Sequence, residues 1–135
     1  MTRPPNIAIF TDLDGTLLDH DSYDWAPAKP LLDSLVQQGI PVVLTSSKTA
    51  VELIPLRAAM GLGDSPAICE NGAGVLAAQS EQPPDRGRYF DIRAALETIS
   101  PDLRQHFEGF GDMSTTRIAE VTGLSEGDAQ RAAER

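Results

Sequence analysis

The chain has 135 residues, and 11 Lys and Arg against 20 Asp and Glu give it a formal net charge of −9 at pH 7. This length predicts one domain with a buried core, and a hydrophobic fraction of 41% is ordinary for a globular protein. Nucleic acids and anionic membrane surfaces are bound by clustered Lys and Arg, so the acidic balance argues against both as partners.

A single cysteine, Cys69, lies in an apolar segment and has no second cysteine with which to form an internal disulfide. This cysteine usage is typical of a reduced, intracellular protein. Residues 1–5 lack the apolar stretch of a signal peptide, and no segment is long and apolar enough to span a bilayer. We therefore expect a soluble, cytoplasmic protein.

Short apolar runs alternate with helical patterns in the first half of the chain. The runs are rich in β-branched residues, which favours buried strands, while the longer segments space their leucines as a helix does. The predicted elements are a strand over residues 6–11, a helix over 28–38, a strand over 40–45, a helix over 49–60 and a strand over 66–70. This order predicts a parallel sheet with right-handed crossover connections.

Local signals predict where these elements end. Gly39 is expected to stop the first helix, and Ser46 or Ser47 to cap the N-terminus of the second. Pro55 lies inside that second helix, so a kink or an early break is expected there. Residues 74–78 are expected to add a hairpin strand to the sheet.

The pattern changes after a polar, proline-containing connection at residues 79–88, which predicts a boundary between two modules. Helical patterns follow it, and the last of them continues to the end of the sequence. The predicted helices cover residues 92–99, 102–107 and 114–123, with a final helix that begins near residue 125.

The chemistry-bearing signal is Asp12-Leu13-Asp14-Gly15-Thr16-Leu17, directly after the first predicted strand. Carboxylates at the carboxyl end of a strand project into the crevice where open α/β sheets bind ligands. One can attack a phosphorus atom while the other protonates the leaving oxygen and later activates water. Both are negative, so we expect Mg²⁺ as the cofactor, because it binds carboxylate and phosphate oxygens together. The structural alternative is an Asx-turn at the Asp-Gly pair.

This hexapeptide resembles the nucleophile motif of the haloacid dehalogenase-like phosphatases. The resemblance implies Asp12 as the nucleophile and Asp14 as the general acid and base, both on Mg²⁺, with Gly15 and Thr16 beside the phosphate. A second family motif, a hydroxyl residue that hydrogen-bonds the phosphoryl group, matches Ser46. A hydroxyl and free N–H groups at a helix N-terminus also form an anion site on physical grounds. Simple N-capping by Ser46 is the alternative, and the two roles are compatible.

Two further segments are expected to line the same site. Ser47 and Lys48 come next, and Lys48 resembles a basic residue that relatives use for substrate; an exposed lysine at a helix start is the alternative. Glu70-Asn71-Gly72 matches a segment that borders the substrate in the same relatives. A type I′ hairpin turn at Asn71-Gly72 explains those two residues equally well.

Four short runs resemble the mannosyl-3-phosphoglycerate phosphatase family: Ser46-Ser47-Lys48-Thr49, Glu70-Asn71-Gly72, and residues 109–114 and 121–125. The resemblance implies an α/β fold, with an incomplete Rossmann-like parallel sheet and helices on both faces. Residues 1–83 would form the N-terminal half of the phosphatase core, and residues 84–135 the beginning of a truncated α+β cap. The implied reaction is Mg²⁺-dependent hydrolysis of mannosyl- or glucosyl-3-phosphoglycerate, a small phosphorylated glycoside, through an aspartyl phosphate.

Two elements of that family's pattern are missing from this sequence. One is a lysine that neutralises the phospho-intermediate; the other is a Gly-Asp-x-x-x-Asp segment that holds Mg²⁺. The Gly-Asp pairs at Asp64, Asp112 and Asp128 each lack the second acid at that spacing. The last helical pattern also continues to Arg135 without a capping residue, and the predicted sheet has an uncovered edge. We therefore expect the N-terminal portion of a longer phosphatase.

Two alternative functions stay open at this point. The chain is a phosphatase for another sugar phosphate or a nucleotide in the first alternative. In the second it is catalytically inactive and acts as an interaction module, forming homo-oligomers through the uncovered sheet edge.

Overall fold

The computed structural model describes residues 6–135, so the prediction made for residues 1–5 lies outside the described residues. The chain divides into two compact units, the first running to Pro84 and the second from Asp85 to Arg135. None of the helices in the described part of the chain has both the length and the apolar character that a bilayer crossing needs.

A four-stranded sheet forms the centre of the first unit, with its strands side by side in chain order. Strands β1, β2 and β3 are parallel, and β4 runs antiparallel to β3. Their bounds are β1 Ile9–Thr11, β2 Val42–Thr45, β3 Ala67–Cys69 and β4 Gly74–Leu76. The predicted α/β fold is confirmed, including the hairpin strand, although each strand is shorter than its apolar run.

Two helices connect the parallel strands, α1 over Lys29–Gln37 and α2 over Ala50–Ala59, and a 3-10 turn at Ala26–Ala28 leads into α1. The predicted stop at Gly39 is confirmed: its φ of 67° is left-handed, a conformation that glycine adopts without a Cβ penalty. The expected break at Pro55 is wrong, because α2 continues through it to Ala59. Because proline has no N–H, the carbonyl of Val51 loses its helical donor; Pro55 is exposed and Val51 half-buried.

The cap of α2 also differs from the prediction. Thr49, and neither Ser46 nor Ser47, is the N-cap: its hydroxyl accepts from the Glu52 N–H at 3.2 Å, while the Glu52 carboxylate accepts from the Thr49 N–H at 2.7 Å. This reciprocal pair is a capping box. It places the helix start three residues later than Ser46 and leaves the Ser46 side chain in the preceding loop.

The two faces of the sheet differ in burial. On one face, residues in register pack with the apolar sides of α1 and α2 into one core cluster: Val42, Leu44, Ala67, Cys69, Leu76, Leu32 and Leu53. On the other face Val43 is buried, but Phe10 is 65% and Val75 61% exposed. We expected helices to cover both faces of the sheet, and this second face is only partly covered.

A buried arginine links α2 to the two ends of the β3–β4 hairpin. The Arg57 guanidinium donates to the carbonyl oxygens of Ser65 at 3.0 Å and Ala77 at 2.8 Å, and also to that of Ser80. Burial lowers the pKa of Arg57, because the charged form loses contact with water. The hydrogen bonds to the three carbonyls offset the cost of burying the guanidinium charge.

The second unit contains four helices, α3 over Gly87–Leu96, α4 over Pro101–Arg104, α5 over Thr115–Thr122 and α6 over Glu126–Ala132. Ser100, Ser114 and Ser125 precede three of them as N-caps, and the helix over 114–123 is confirmed. Two expectations are wrong: α3 begins five residues earlier than residue 92, and α6 ends at Ala132 with Ala133 as its C-cap. Its last turn closes because the Ala133 N–H donates to the Ala129 carbonyl.

Asp112 is the polar centre of this second unit. Its carboxylate accepts from the Arg93 guanidinium at 2.8 and 2.5 Å, from Arg104 at 3.1 Å and from the Gly109 N–H at 2.9 Å. The Arg93 hydrogen bonds, followed by that of Gly109, hold the pKa of Asp112 well below its ordinary value of 3.8. One carboxylate thus joins α3, α4 and the turn before α5.

The Arg57 links predict a large stability effect. Arg57→Met removes the guanidinium donor from the buried Ser65 carbonyl and from the part-buried contacts with the Ala77 and Ser80 carbonyls, and should lower the free energy of unfolding by about 3 kcal/mol. Urea unfolding followed by the fluorescence of Trp25, the single tryptophan, reports on the first unit. Arg88→Met, at an exposed position of α3, is the matched control and should change little. Equal midpoints for the two variants would contradict the role given to Arg57.

The Asp112 contacts predict a pH-dependent effect. The folded pKa lies below the unfolded one, so the contribution is present above pH 3.8 and is lost as the pH falls towards the folded pKa. Asp112→Asn should therefore lower the melting temperature at pH 7, and the deficit should shrink below pH 3.8. Asp91→Asn, an exposed carboxylate on α3, is the control. A deficit that stays constant down to pH 2.5 would show that the carboxylate charge is not its source.

Candidate functional site

The loop after β1 turns the two carboxylates of the first motif outward. Leu13 and Leu18 are buried in the core, and the Leu13 carbonyl accepts from the Leu18 N–H at 2.8 Å, which closes a tight loop. Because Leu13 points inward, Asp12 and Asp14 on either side of it are exposed. Gly15 has a φ of 73°, a left-handed conformation that suits glycine and lets the chain reverse immediately after Asp14.

Ser46 lies at the end of β2 and is buried, and its Oγ accepts from the Lys48 N–H at 3.2 Å. The hydroxyl therefore shapes the loop between β2 and the Thr49 cap. Directly before it, the buried Thr45 Oγ1 has no hydrogen-bond partner within residues 6–135.

Two backbone hydrogen bonds tie the loop after β3 to the loop after β2. The Asn71 N–H donates to the Ser46 carbonyl and the Glu70 N–H to the Lys48 carbonyl, both at 3.0 Å. Glu70, Asn71 and Gly72 all have left-handed φ values, of 50°, 55° and 98°. The alternative explanation of Asn71-Gly72 as a two-residue type I′ turn is wrong, because Cys69 pairs with Gly74 and leaves a four-residue loop.

Lys48 connects the loop after β2 to the loop after β1. Its Nζ lies 3.1 Å from Asp14 Oδ1, and its side chain is only 15% exposed. The same Nζ lies 5.5 Å from the centroid of the Tyr23 ring. The sequence predicted that Lys48 lies near Asp12 and Asp14, the acidic pair. It gave no signal for Tyr23, which lies in an acidic turn and belongs to no motif. The distance of Tyr23 from Lys48 in the structure identifies it.

The structure brings some predicted residues together and leaves others apart. Asp14 and Lys48 are in direct contact, and Ser46, Glu70 and Asn71 are linked to Lys48 or to its loop through the backbone. The side chains of Thr16 and Ser47 are exposed and make no hydrogen bond within the described residues. Asp12 is exposed, and its carboxylate has no hydrogen bond or ion pair in the same part of the chain.

The acidic pair provides the donors that a magnesium ion uses. Mg²⁺ is commonly held by one or two carboxylates together with substrate phosphate oxygens, and Asp12 and Asp14 are exposed carboxylates on one short loop. No group of three or more His, Cys, Asp or Glu side chains in residues 6–135 is placed to hold a metal ion. The donor set fits an ion shared with substrate rather than a closed protein cage.

Within residues 6–135, this arrangement combines the Asp12 carboxylate, which has no hydrogen bond or ion pair there, with the Asp14 carboxylate beside the Lys48 ammonium group. An exposed carboxylate is able to attack an electrophile, and a neighbouring acid is able to move a proton to or from the leaving oxygen. Lys48 supplies a positive charge that attracts an anionic substrate. Together these groups suit the transfer of a phosphoryl group to water.

A family model described as haloacid dehalogenase-like hydrolase matches residues 9–107 of the chain. Among solved structures, a hypothetical protein from Geobacillus kaustophilus HTA426 shares the fold with a TM-score of 0.51 and 24% identity over 69% of this chain and 36% of that one. A haloacid dehalogenase-like hydrolase from B. subtilis has a TM-score of 0.48 and 20% identity over 94% of this chain and 50% of its own. The chain thus spans half or less of the length of these two proteins.

Proposed function

Because the chain belongs to the haloacid dehalogenase-like hydrolase family, we propose that it hydrolyses a phosphate monoester with Asp12 as the nucleophile. The observation that carries the proposal is the contact of Lys48 Nζ with Asp14 Oδ1 at 3.1 Å, next to the exposed Asp12. This contact places a cation beside Asp14, two residues from Asp12, in the loop where we propose that the phosphate of a substrate binds.

The proposed reaction has two steps. An Asp12 carboxylate oxygen attacks phosphorus, the ester P–O bond breaks, and Asp14 donates a proton to the leaving alcohol oxygen. Asp14 then takes a proton from water, the water oxygen attacks the aspartyl phosphate, and the products are inorganic phosphate and a regenerated Asp12. Mg²⁺, when bound, neutralises charge between the carboxylates and the phosphoryl oxygens.

The proposed substrate is a glycosyl-3-phosphoglycerate with a mannosyl or glucosyl group. Its support is the resemblance of the Ser46–Thr49 and Glu70–Gly72 segments, and of residues 109–114 and 121–125, to mannosyl-3-phosphoglycerate phosphatases. Under this proposal, the unit from Asp85 to Arg135 acts as a cap that selects the sugar. Another sugar phosphate is the alternative substrate in the same class.

A second candidate function is that of an interaction module, and one observation favours it. In the sheet formed by residues 6–135, β1 is an edge strand, and Phe10 in that strand is 65% exposed. An uncovered strand beside an exposed aromatic side chain is a surface on which another copy of the chain can add a strand. This candidate predicts self-association and no turnover.

Phosphate release separates the two candidates. The chain should release phosphate from mannosyl-3-phosphoglycerate with Mg²⁺ present, and Asp12→Asn should reduce kcat at least 10³-fold because the nucleophile is lost. Asp33→Asn is the matched control, since Asp33 is an exposed carboxylate that pairs with Lys29 on α1. Turnover by Asp12→Asn at the wild-type rate would contradict the role of Asp12. A dimer without turnover would favour the interaction module.

Metal removal tests the proposed cofactor. Chelation with EDTA should abolish phosphate release, and added Mg²⁺ should restore it, because two carboxylates repel an anionic phosphate unless a cation lies between them. Titration of Mg²⁺ should also show weaker binding to Asp12→Asn than to Asp33→Asn. Full activity in EDTA, or equal Mg²⁺ affinities of the two variants, would contradict the proposed magnesium site.

A further inference from the structure

Positive charge is scarce around the acidic pair. Between residues 6 and 84 the cationic side chains are Lys29, Lys48 and Arg57. Lys29 is paired with Asp33 on α1, and Arg57 is buried against backbone carbonyls. In the described part of the first unit, Lys48 is therefore the cation that can attract an anion to Asp12 and Asp14. The strength of that attraction depends on where its ammonium group lies.

A lysine side chain has many rotamers, so one ammonium position has to be selected by its contacts. Among the residues that the structure describes, two groups contact the Lys48 ammonium: Asp14 Oδ1 lies at 3.1 Å, and the Tyr23 ring centroid at 5.5 Å. The second distance is within the range of a cation–π interaction. The low exposure of the Lys48 side chain, 15%, agrees with this enclosure.

The turn that carries Tyr23 is closed by its own hydrogen bonds. The Asp19 N–H donates to the Asp24 carbonyl at 2.9 Å, and the Tyr23 N–H donates to the Asp19 carbonyl at 3.0 Å. Asp19 Oδ1 accepts from the N–H groups of Asp21 and Ser22 and from the Ser22 hydroxyl. Tyr23 has a φ of 57°, unfavourable for a residue with a bulky side chain, and this turn holds it there.

We propose that Tyr23 is a positioning residue for phosphate binding: its ring and Asp14 together hold the Lys48 ammonium where the phosphate of the substrate meets it. The inference rests on the proposed function and adds a residue to it that no motif contains. Tyr23 itself donates nothing to the reaction. Its effect passes through Lys48, so it should change phosphate affinity and leave the chemical step unchanged.

The test compares two substitutions at Tyr23. Tyr23→Phe keeps the ring and should behave as the wild type, whereas Tyr23→Leu removes it and should raise the dissociation constant for inorganic phosphate with Mg²⁺ about two- to five-fold. KM should rise by the same factor with kcat unchanged. Tyr23→Asn is a second non-aromatic variant, and asparagine tolerates the left-handed φ, so it separates loss of the ring from misfolding.

Two further measurements make the role specific. The Lys48 Hε protons should show an upfield ring-current shift in NMR spectra of the wild type and Tyr23→Phe that is absent in Tyr23→Leu. In a Lys48→Met background, Tyr23→Leu should cause no further loss of phosphate affinity. A full effect in that background, or equal affinities of the Phe and Leu variants, would overturn the proposal.

The outcomes also separate this inference from the proposed function. Phosphate binding that depends on the Tyr23 ring, in a chain that releases no phosphate from any ester, would contradict the hydrolysis and support the positioning role. Hydrolysis that is insensitive to Tyr23→Leu would do the reverse. A wild-type chain that does not bind inorganic phosphate with Mg²⁺ would overturn both.

Discussion

One three-residue stretch, Ser46 to Lys48, joins the loops that follow three strands of the sheet. Its backbone carbonyls accept hydrogen bonds from the Asn71 and Glu70 N–H groups, and the Lys48 ammonium contacts Asp14 in the loop after β1. Because the first two contacts are backbone bonds, they hold the loops together without relying on exposed side chains. The rest of the site depends on this link, since it fixes where the Lys48 charge lies relative to the acidic pair.

An acidic chain that handles an anionic substrate has to solve a repulsion problem. The formal charge is −9, and Asp12 and Asp14 add two negative charges where a phosphate would bind. The Lys48 ammonium, on a side chain that is only 15% exposed, offsets part of this repulsion through its contact with the exposed Asp14 carboxylate. The proposed Mg²⁺ supplies the remaining positive charge. Under the proposed function, each positive group at the site therefore contributes to phosphate affinity, and Tyr23 contributes by positioning the Lys48 ammonium.

Features determined by neighbours in sequence could be predicted, and those determined by contacts across the fold could not. The strand–helix alternation, the stop at Gly39 and the family membership follow from local patterns, and the structure and the family match confirm them. The N-cap of α2 could not be identified from the sequence, because four hydroxyl residues lie close together there: Thr45, Ser46, Ser47 and Thr49. The path of the chain out of β2 makes Thr49 the N-cap. Contacts distant in sequence, such as Arg57 with Ala77 or Tyr23 with Lys48, leave no periodic signal.

Under the proposed mechanism, Asp12 becomes covalently phosphorylated during turnover. The most direct measurement is a rapid acid quench of the chain reacting with phosphate-labelled mannosyl-3-phosphoglycerate and Mg²⁺, followed by peptide mapping of the trapped acyl phosphate. We expect label on Asp12, formed at least as fast as phosphate is released. Phosphate release without labelled protein, or label on a residue other than Asp12, would contradict it.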